Sequence, residues 1–204
     1  TNTRTVWARR FGADGTPRDP EDLPVSGAGP GDLAHYDADV VALPGGGFAV
    51  AWETSAPGGS ILLRRFGPDG APVVPAESPH PAGGAPFKAN PALAAAADGA
   101  LALAWEEDDQ AGGFAIRISR YDAAGALTAT APPVIAGPDE LRDPALALGE
   151  GGVASVVWAA LPGGSPAASR IELRRLDAAG EPLGPPRLLS NAAPAARGAP
   201  TIAS

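Results

Sequence analysis

The stretch ILLRRFGPDG, from Ile61 to Gly70, has the pattern of a short apolar strand that ends in a tight turn. Three other stretches follow the same pattern: VWARRFGADG at 6–15, IRISRYDAAG at 116–125 and IELRRLDAAG at 171–180. Glycine at the end of such a segment favours a turn, because it accepts a positive φ angle. Four copies of one strand and turn in 204 residues predict a repeat architecture.

Two sets of anchor residues fix the length of the repeat. The large apolar residue that follows the arginine recurs every 55 residues, at Phe11, Phe66, Tyr121 and Leu176. A tryptophan that ends an apolar run recurs every 53 residues, at Trp52, Trp105 and Trp158. The strands therefore keep their spacing while the connections vary in length, as expected when the connections lie on the surface.

Each unit predicts four short strands, of which the second ends in the tryptophan and the third carries the arginines. The second strand, for example Leu101–Trp105, is apolar on both faces, which is typical of a strand buried between two sheets. The fourth strand is rich in proline, which favours a sheet edge. We therefore predict an all-β fold: a β-propeller, or an arc of one, with about three and a half four-stranded antiparallel blades.

These units form a single repeat domain over residues 1–204. Residues 1–36 supply the third and fourth strands of a first blade, three complete blades follow, and the first strand of another blade comes last: 37–89, 90–142, 143–198 and 199–204. Propellers have about 4–8 blades, so we expect further blades or a partner chain to close the ring.

Composition excludes several classes of function. The formal charge of −8 argues against a nucleic-acid partner, which requires a basic surface. The absence of cysteine excludes disulfides and thiolate metal sites, and no apolar run approaches the ~20 residues of a membrane helix. The absence of methionine, even at the first position, leads us to expect a piece of a longer precursor.

The repeated pattern, P-x-[VLI]-A followed by GGF-x-V-x-W and RRF-x-x-DG, resembles the tandem tryptophan-containing repeats of large secreted and surface proteins of bacteria. The resemblance covers almost the whole chain. It implies a β-propeller-like array outside the cytoplasm that serves as a binding or spacer module. It implies no catalytic residues, because the shared positions are structural ones.

Two repeated columns invite a functional and a structural interpretation. The column of arginines is either an anion-binding surface or a set of structural ion pairs, and its presence in every unit favours structure: Arg10, Arg65, Arg120 and Arg175. We expect Arg65 and Arg120 to be more buried than the preceding Arg64 and Ser119. The tryptophans alternate with other apolar residues, which favours the core over sugar stacking. Trp7 occupies a different position and is a candidate exposed anchor for a ligand.

Two polar segments interrupt the repeat. The first has no counterpart in the other units and supplies candidate ligand-binding residues: His35, Tyr36, Asp37 and Asp39. The second offers carboxylates that Ca²⁺ would accept, although a solvated acidic loop is the better interpretation: Glu106, Glu107, Asp108 and Asp109. We expect no resident cofactor and no catalytic residue, with Ca²⁺ as the one possible ion.

Three functions fit these patterns. The leading hypothesis is a non-enzymatic extracellular module for adhesion, binding or spacing, with a protein or glycan of the cell surface as its partner. One alternative is a scaffold subunit completed by a partner strand. The other is a polysaccharide-directed hydrolase or lyase with a site at one end of the ring.

Overall fold

The computed structural model describes residues 4–27, 34–55, 60–73, 78–80, 87–130, 133–190 and 200–202. Within these ranges the protein is built from β-strands and short 3-10 turns. The strands in chain order are β1 (Trp7–Ala8), β2 (Leu23–Pro24), β3 (His35–Ala42), β4 (Phe48–Thr54), β5 (Ser60–Phe66), β6 (Ser78–His80), β7 (Phe87–Ala95), β8 (Leu101–Asp108), β9 (Phe114–Tyr121), β10 (Leu127–Thr130), β11 (Ile135–Gly137), β12 (Glu140–Leu148), β13 (Ala154–Leu161), β14 (Arg170–Leu176) and β15 (Arg187–Leu188). The 3-10 turns are Pro44–Gly46, Glu150–Gly152, Pro162–Gly164 and Pro166–Ala168.

The strands form four antiparallel sheets, which we number I to IV in chain order. Sheet I pairs β1 with β2, sheet II runs β3-β4-β5-β6, and sheet IV runs β12-β13-β14-β15. Sheet III runs β7-β8-β9-β10, and its β9 also pairs with β11. The predicted all-β class with several antiparallel sheets is confirmed.

Some strands differ from the predicted pattern. The proline-rich fourth strand of the blade at 90–142, predicted at 132–137, corresponds to β11. A second short strand, β10, was not predicted and shares the outer edge of β9 with it. The strand in the first arginine motif is reduced to Trp7–Ala8. Of the strand expected at 199–204, the structure describes 200–202, and these three residues are irregular. Short edge segments lack a second hydrogen-bonded neighbour, so they are the least constrained part of each sheet.

The first strand of sheets II, III and IV is interrupted at the same place. The register of β3, β7 and β12 shifts between Tyr36 and Asp39, between Ala89 and Ala92, and between Arg142 and Ala145. One residue in each bulge has a positive φ angle: Asp37 (43°), Asn90 (50°) and Asp143 (51°). Asp and Asn adopt this left-handed conformation more readily than other residues with a side chain, which accounts for their recurrence here.

The core lies between consecutive sheets. Between sheets II and III, Leu103 and Trp105 of β8 pack in one cluster with Ala49 and Ala51 of β4. Between sheets III and IV, Trp158 packs in the corresponding cluster with alanines of β8. Bulky side chains of one sheet thus fill the space left by small side chains of the sheet before it. All three repeated tryptophans lie in the interior, with at most 1% of each residue exposed.

The arginine column joins each sheet to the next. Arg65 donates to the carbonyl oxygens of Gly99, Asp122 and Ala123 in sheet III, at 3.2, 3.0 and 2.8 Å. Arg120 donates in the same way to Gly152 and Asp177 of sheet IV, at 2.8 and 2.7 Å. Each guanidinium therefore binds turns of the following sheet.

The two ends of the column differ from its middle. Arg10 pairs with the carboxylate of Asp19 and also donates to the carbonyl oxygen of Asp69, at 2.9 Å, in sheet II. Arg175 of the last sheet is exposed, and its side chain makes no hydrogen bond or ion pair with any described residue. An arginine of the column therefore makes these hydrogen bonds where another sheet follows its own and supplies the carbonyl oxygens.

The expected contrast between neighbouring positions holds in one unit and is wrong in another. Arg65 is buried and Arg64 is half-buried, as expected. Ser119, however, is fully buried, whereas Arg120 is 7% exposed. Arg64 is also not directed purely into solvent, because it donates to the carbonyl oxygen of Val25 at 2.6 Å. The outward position is therefore covered by neighbouring segments, which the alternation along one strand does not reveal.

No helix among the described residues is long and apolar enough to cross a membrane.

Candidate functional site

A groove runs along the beginnings of the first strands of sheets II, III and IV. It has a volume of about 490 Å³, and its polar lining comes mainly from the bulges in these strands: Asp37, Asp39, Asn90 and Asp143. The segment Pro200–Ile202 closes one side. We call this space the axial groove. Its position follows from the repeat, because the bulge residue occupies the equivalent position in the first strand of each of the three sheets.

Two glutamates, each directly after a buried tryptophan, accept hydrogen bonds from lining residues of the groove. Neither lines the groove itself, and Glu106 lines a separate pocket of about 100 Å³. Glu53 accepts a hydrogen bond from the backbone N–H of Asn90 at 3.3 Å. Glu106 accepts one from the backbone N–H of Asp143 at 3.1 Å, and a second from the side-chain amide of Asn90 at 2.7 Å. Each glutamate therefore satisfies the bulge of the following sheet. The third sheet of the series has Ala159 at this position.

Glu106 has the most perturbed carboxyl group near the groove. Burial raises its pKa from 4.5 to about 7, although the hydrogen bond from the backbone of Asp143 acts in the opposite direction. The nearby charge of Asp143 raises the pKa further. Burial also raises the pKa of Glu53. Glu106 is thus a carboxyl group that carries its proton for much of the time at neutral pH, which suits a general acid.

The raised pKa of Glu106 predicts a pH dependence of stability. Because the folded state holds this proton more tightly than the unfolded chain, its contribution is fully present below about pH 4.5 and decreases as the pH rises to about 7. At about 1.4 kcal/mol per pKa unit, the rise from 4.5 to about 7 corresponds to about 3.5 kcal/mol. We expect the Glu106→Gln variant to lose this decrease when urea unfolding is compared at pH 5 and pH 8. Parallel curves for variant and wild type would contradict the assignment.

The structure separates the four residues of the first predicted site. Asp37 and Asp39 line the axial groove. Asp39 also accepts a hydrogen bond from the backbone N–H of Leu93 in the next sheet, at 2.7 Å. His35 is buried, and its Nδ1 accepts a hydrogen bond from Nε1 of Trp52 at 3.1 Å. It therefore supports the core.

The two aromatic candidates lie outside the groove. The ring of Tyr36 lies 5.1 Å from the guanidinium carbon of Arg4. Trp7 is 57% exposed, and its indole nitrogen donates to the hydroxyl of Thr5 at 2.7 Å. Trp7 does not line the axial groove. A ligand contact by its exposed indole stays a prediction.

The acidic segment at 106–109 does not converge on one point. Glu107 is buried, accepts a hydrogen bond from the Trp105 indole and pairs with Arg117 at 2.7 Å. Asp108 and Asp109 accept hydrogen bonds from backbone N–H groups of their own loop. Within the described part of the chain, no group of three or more acidic, histidine or cysteine side chains is arranged to hold a metal ion. Ca²⁺ binding by this segment stays the weaker of the two interpretations given for it, and nothing in the structure tests it.

Asn90 and Asp143 were not predicted as lining residues, and Glu106 was predicted to lie in a solvated acidic loop, with Ca²⁺ binding as the alternative. A signal was present, because alignment of the units places Asp37, Asn90 and Asp143 at equivalent positions, 53 residues apart. It was overlooked because the three residues differ in type. The raised pKa of Glu106 had no sequence signal, since it depends on how the next sheet covers the side chain.

Comparison with known proteins places the fold among solved structures. No protein-family model matches the chain, and no curated protein matches it. One similar structure is an endo-arabinase from Bacteroides thetaiotaomicron VPI-5482, with a TM-score of 0.57 and 11% identity over 93% of this chain and 74% of the enzyme. An endo-1,4-beta-xylanase from the same organism has a TM-score of 0.50 and 13% identity over 83% of this chain and 64% of the enzyme.

A third similar structure is a protein of unknown function from Dyadobacter fermentans DSM 18053, with a TM-score of 0.50 and 18% identity. It is matched over 72% of this chain and 52% of its own length. The chain thus spans between about half and three quarters of these three structures. At such identities the likeness is one of fold. The resemblance to tryptophan-containing surface repeats stays a prediction, since no family model matches.

The comparisons correct the leading functional hypothesis. A non-enzymatic adhesion or spacer module finds no support among the similar structures, two of which are described as an endo-arabinase and an endo-xylanase. The alternative of a polysaccharide-directed hydrolase or lyase agrees better with them. The repeat misled the interpretation because the positions that recur are structural, whereas the polar lining of the axial groove varies from unit to unit.

Proposed function

We propose that the chain forms part of a polysaccharide-directed hydrolase or lyase, with its site in the axial groove and Glu106 as the proton donor. The observation that carries the proposal is the half-buried carboxyl group of Glu106, whose pKa burial raises to about 7, and which accepts hydrogen bonds from two lining residues of the groove, Asn90 and Asp143. Similarity to the fold of an endo-arabinase and of an endo-xylanase supports a polysaccharide as the substrate class.

The architecture that we propose is an arc of β-propeller blades. Sheets II, III and IV are the blades, and β3, β7 and β12 are their inner strands. Three observations support this: the regular spacing of the repeat, the four-stranded order of the sheets, and the packing of a bulky face on a small face between sheets. The start of each inner strand then borders the propeller axis, where the groove lies.

The proposed chemistry needs two kinds of carboxyl group. Glycosidic bond cleavage generally requires one protonated acid at the leaving oxygen and one ionised carboxylate as base or nucleophile. Glu106 fits the first role because burial keeps it protonated. Asp37 is exposed and lines the groove, so it fits the second role, and half-buried Asp39 is next to it.

Turnover assays test this proposal and the contrary expectation that the chain is not an enzyme. We expect release of reducing ends from arabinan or xylan, or of unsaturated ends from a uronate-containing polysaccharide. Glu106→Gln keeps the hydrogen-bond acceptor but removes the acid, so activity should decrease about 100-fold or more. Asp37→Ala and Asp39→Ala should also abolish turnover.

The matched control is Glu53→Gln, because Glu53 occupies the equivalent position in sheet II and makes the equivalent hydrogen bond. We expect it to retain activity within about threefold of wild type. Equal losses in the two variants would indicate a structural role for both glutamates. Absence of turnover on all three classes of polymer would overturn the proposal. An extracellular location, with a surface glycan as partner, remains part of the prediction.

A further inference from the structure

Equivalent residues of the repeat units differ in exposure, and the difference shows which surface of sheet II lacks a neighbouring sheet. Val40 of β3 is 62% exposed, whereas the equivalent residues of the next two sheets, Leu93 and Leu146, are 7% and 6% exposed. Leu93 is buried because it packs in one cluster with Ala49 and Ala51, which lie on the second strand of the preceding sheet. Among the described residues of sheet I there is no such second strand.

The first arginine motif, at 6–15, shows the same difference. Phe11 is 56% exposed, whereas its equivalents are almost completely buried: Phe66 (2%), Tyr121 (6%) and Leu176 (1%). Phe66 is covered by the neighbouring strand of its own sheet, where Phe48 stacks on it with ring centroids 4.6 Å apart. In the described structure β1 pairs with β2 alone, so its other edge has no partner.

These two exposed side chains border one groove, between β1 and the inner strands of sheet II. The groove has a volume of about 640 Å³, and its apolar lining includes Val6, Ala8, Phe11, Val40, Ala42 and Phe48. Four charged residues also line it: Arg9, Arg10, Arg18 and Asp39. It lies on the face of β3 and β4 that corresponds to the face covered by alanines in sheets III and IV. We call it the open-sheet groove.

We propose that the open-sheet groove binds a two-stranded β-hairpin of the same repeat type, equivalent to β7–β8, supplied by a further repeat unit. The second strand of this hairpin adds to the free edge of β1, as β4 does to β5. Its alanine face covers Val40, as Ala49 and Ala51 pack with the equivalent Leu93. Its bulky residue next to the turn covers Phe11, as Phe48 covers Phe66.

This inference rests on Val40 and Phe11, which do not line the axial groove and have no part in the catalytic proposal, although Ala38 and Asp39 line both grooves. The proposed hairpin is defined by the residue pattern of its second strand, which has small residues on one face and bulky residues on the other.

A synthetic peptide with the sequence of Phe87–Asp108, labelled with a fluorophore, tests the proposal against the full chain. We expect saturable binding by fluorescence anisotropy, and slower amide hydrogen exchange in residues 7–11. Val40→Asp in the chain should weaken binding at least tenfold. The control is Val73→Asp, which changes a valine of similar exposure (58%) away from the groove and should leave binding unchanged.

A second peptide makes the test independent of the folding of the chain variants. Replacing Ala104 of the peptide by glutamate places a charge on the face that should enter the groove, and we expect binding to be lost. The proposal is overturned if the original peptide does not bind, or if Val40→Asp or the altered peptide binds as well as the original pair. It is also overturned if sedimentation shows a dimer of the chain that the peptide does not displace.

Discussion

Replacing Trp105 by alanine should lower the free energy of unfolding by about 3–5 kcal/mol, the range for large aromatic truncations in a core. The residue is 1% exposed and packs between sheets II and III with Ala49, Ala51 and Leu103. The neighbouring side chains are held by their own sheets and cannot move in to fill the cavity. The indole also donates to Glu107, which would lose one of its partners.

Urea unfolding monitored by circular dichroism measures this effect. Trp7→Ala is the matched control, because this tryptophan is 57% exposed and should contribute less than about 0.5 kcal/mol. A small effect at Trp105, or similar effects at both positions, would show that the core between sheets II and III is not a main source of stability.

Arg65→Ala should lower the free energy of unfolding by about 3–4 kcal/mol, since hydrogen bonds from a charged donor contribute about 1.5–3 kcal/mol each. Three carbonyl oxygens of sheet III lose their donor in this variant: Gly99, Asp122 and Ala123. These groups are part-buried or buried, so water replaces the guanidinium incompletely. The sum is smaller than three separate bonds, because burial of the cation opposes them.

The chain contains its own control for this prediction. Arg175 is the equivalent residue of sheet IV, but it is exposed and has no partner among the described residues. Arg175→Ala should therefore change stability by less than about 0.5 kcal/mol. Thermal and urea unfolding of the two variants should differ clearly. Equal effects would indicate that the arginines act through general charge and not through the turns of the following sheet.

These two arginines show what the sequence predicts about a residue and what it does not. The repeated pattern predicts that both belong to one structural column, and their local sequences, LRRFGPDG and LRRLDAAG, share the Leu-Arg-Arg start, a large apolar residue after it and the final glycine. Their environments differ because Arg65 has sheet III beside it. The presence of a neighbouring sheet is a property of the assembled structure, so residues with similar local sequences have different energies.

The residues around the axial groove were also predicted only in part. Asp37 and Asp39 were predicted as site residues because their segment interrupts the repeat, and both line the groove. His35 belongs to the same segment but faces the Trp52 indole, because successive residues of a strand point to opposite sides. The bulge between Tyr36 and Asp39 then alters this alternation, and it was not predicted.

The sequence by itself determined the elements of this protein. The spacing of 55 and 53 residues, the alternation of apolar side chains and the glycine turns define the strands, their antiparallel order and the buried tryptophans. These are local properties, because a strand and its turn are specified by residues close together in the chain.

The tertiary structure alone decided which side chains became chemically unusual. It covered Ser119, left Val40 and Phe11 exposed, and raised the pKa of Glu106 to about 7. Each result depends on whether another sheet lies against the residue and removes water from it. Desolvation acts through space between segments more than 30 residues apart, such as Glu106 and Asp143. No pattern within one strand carries that information.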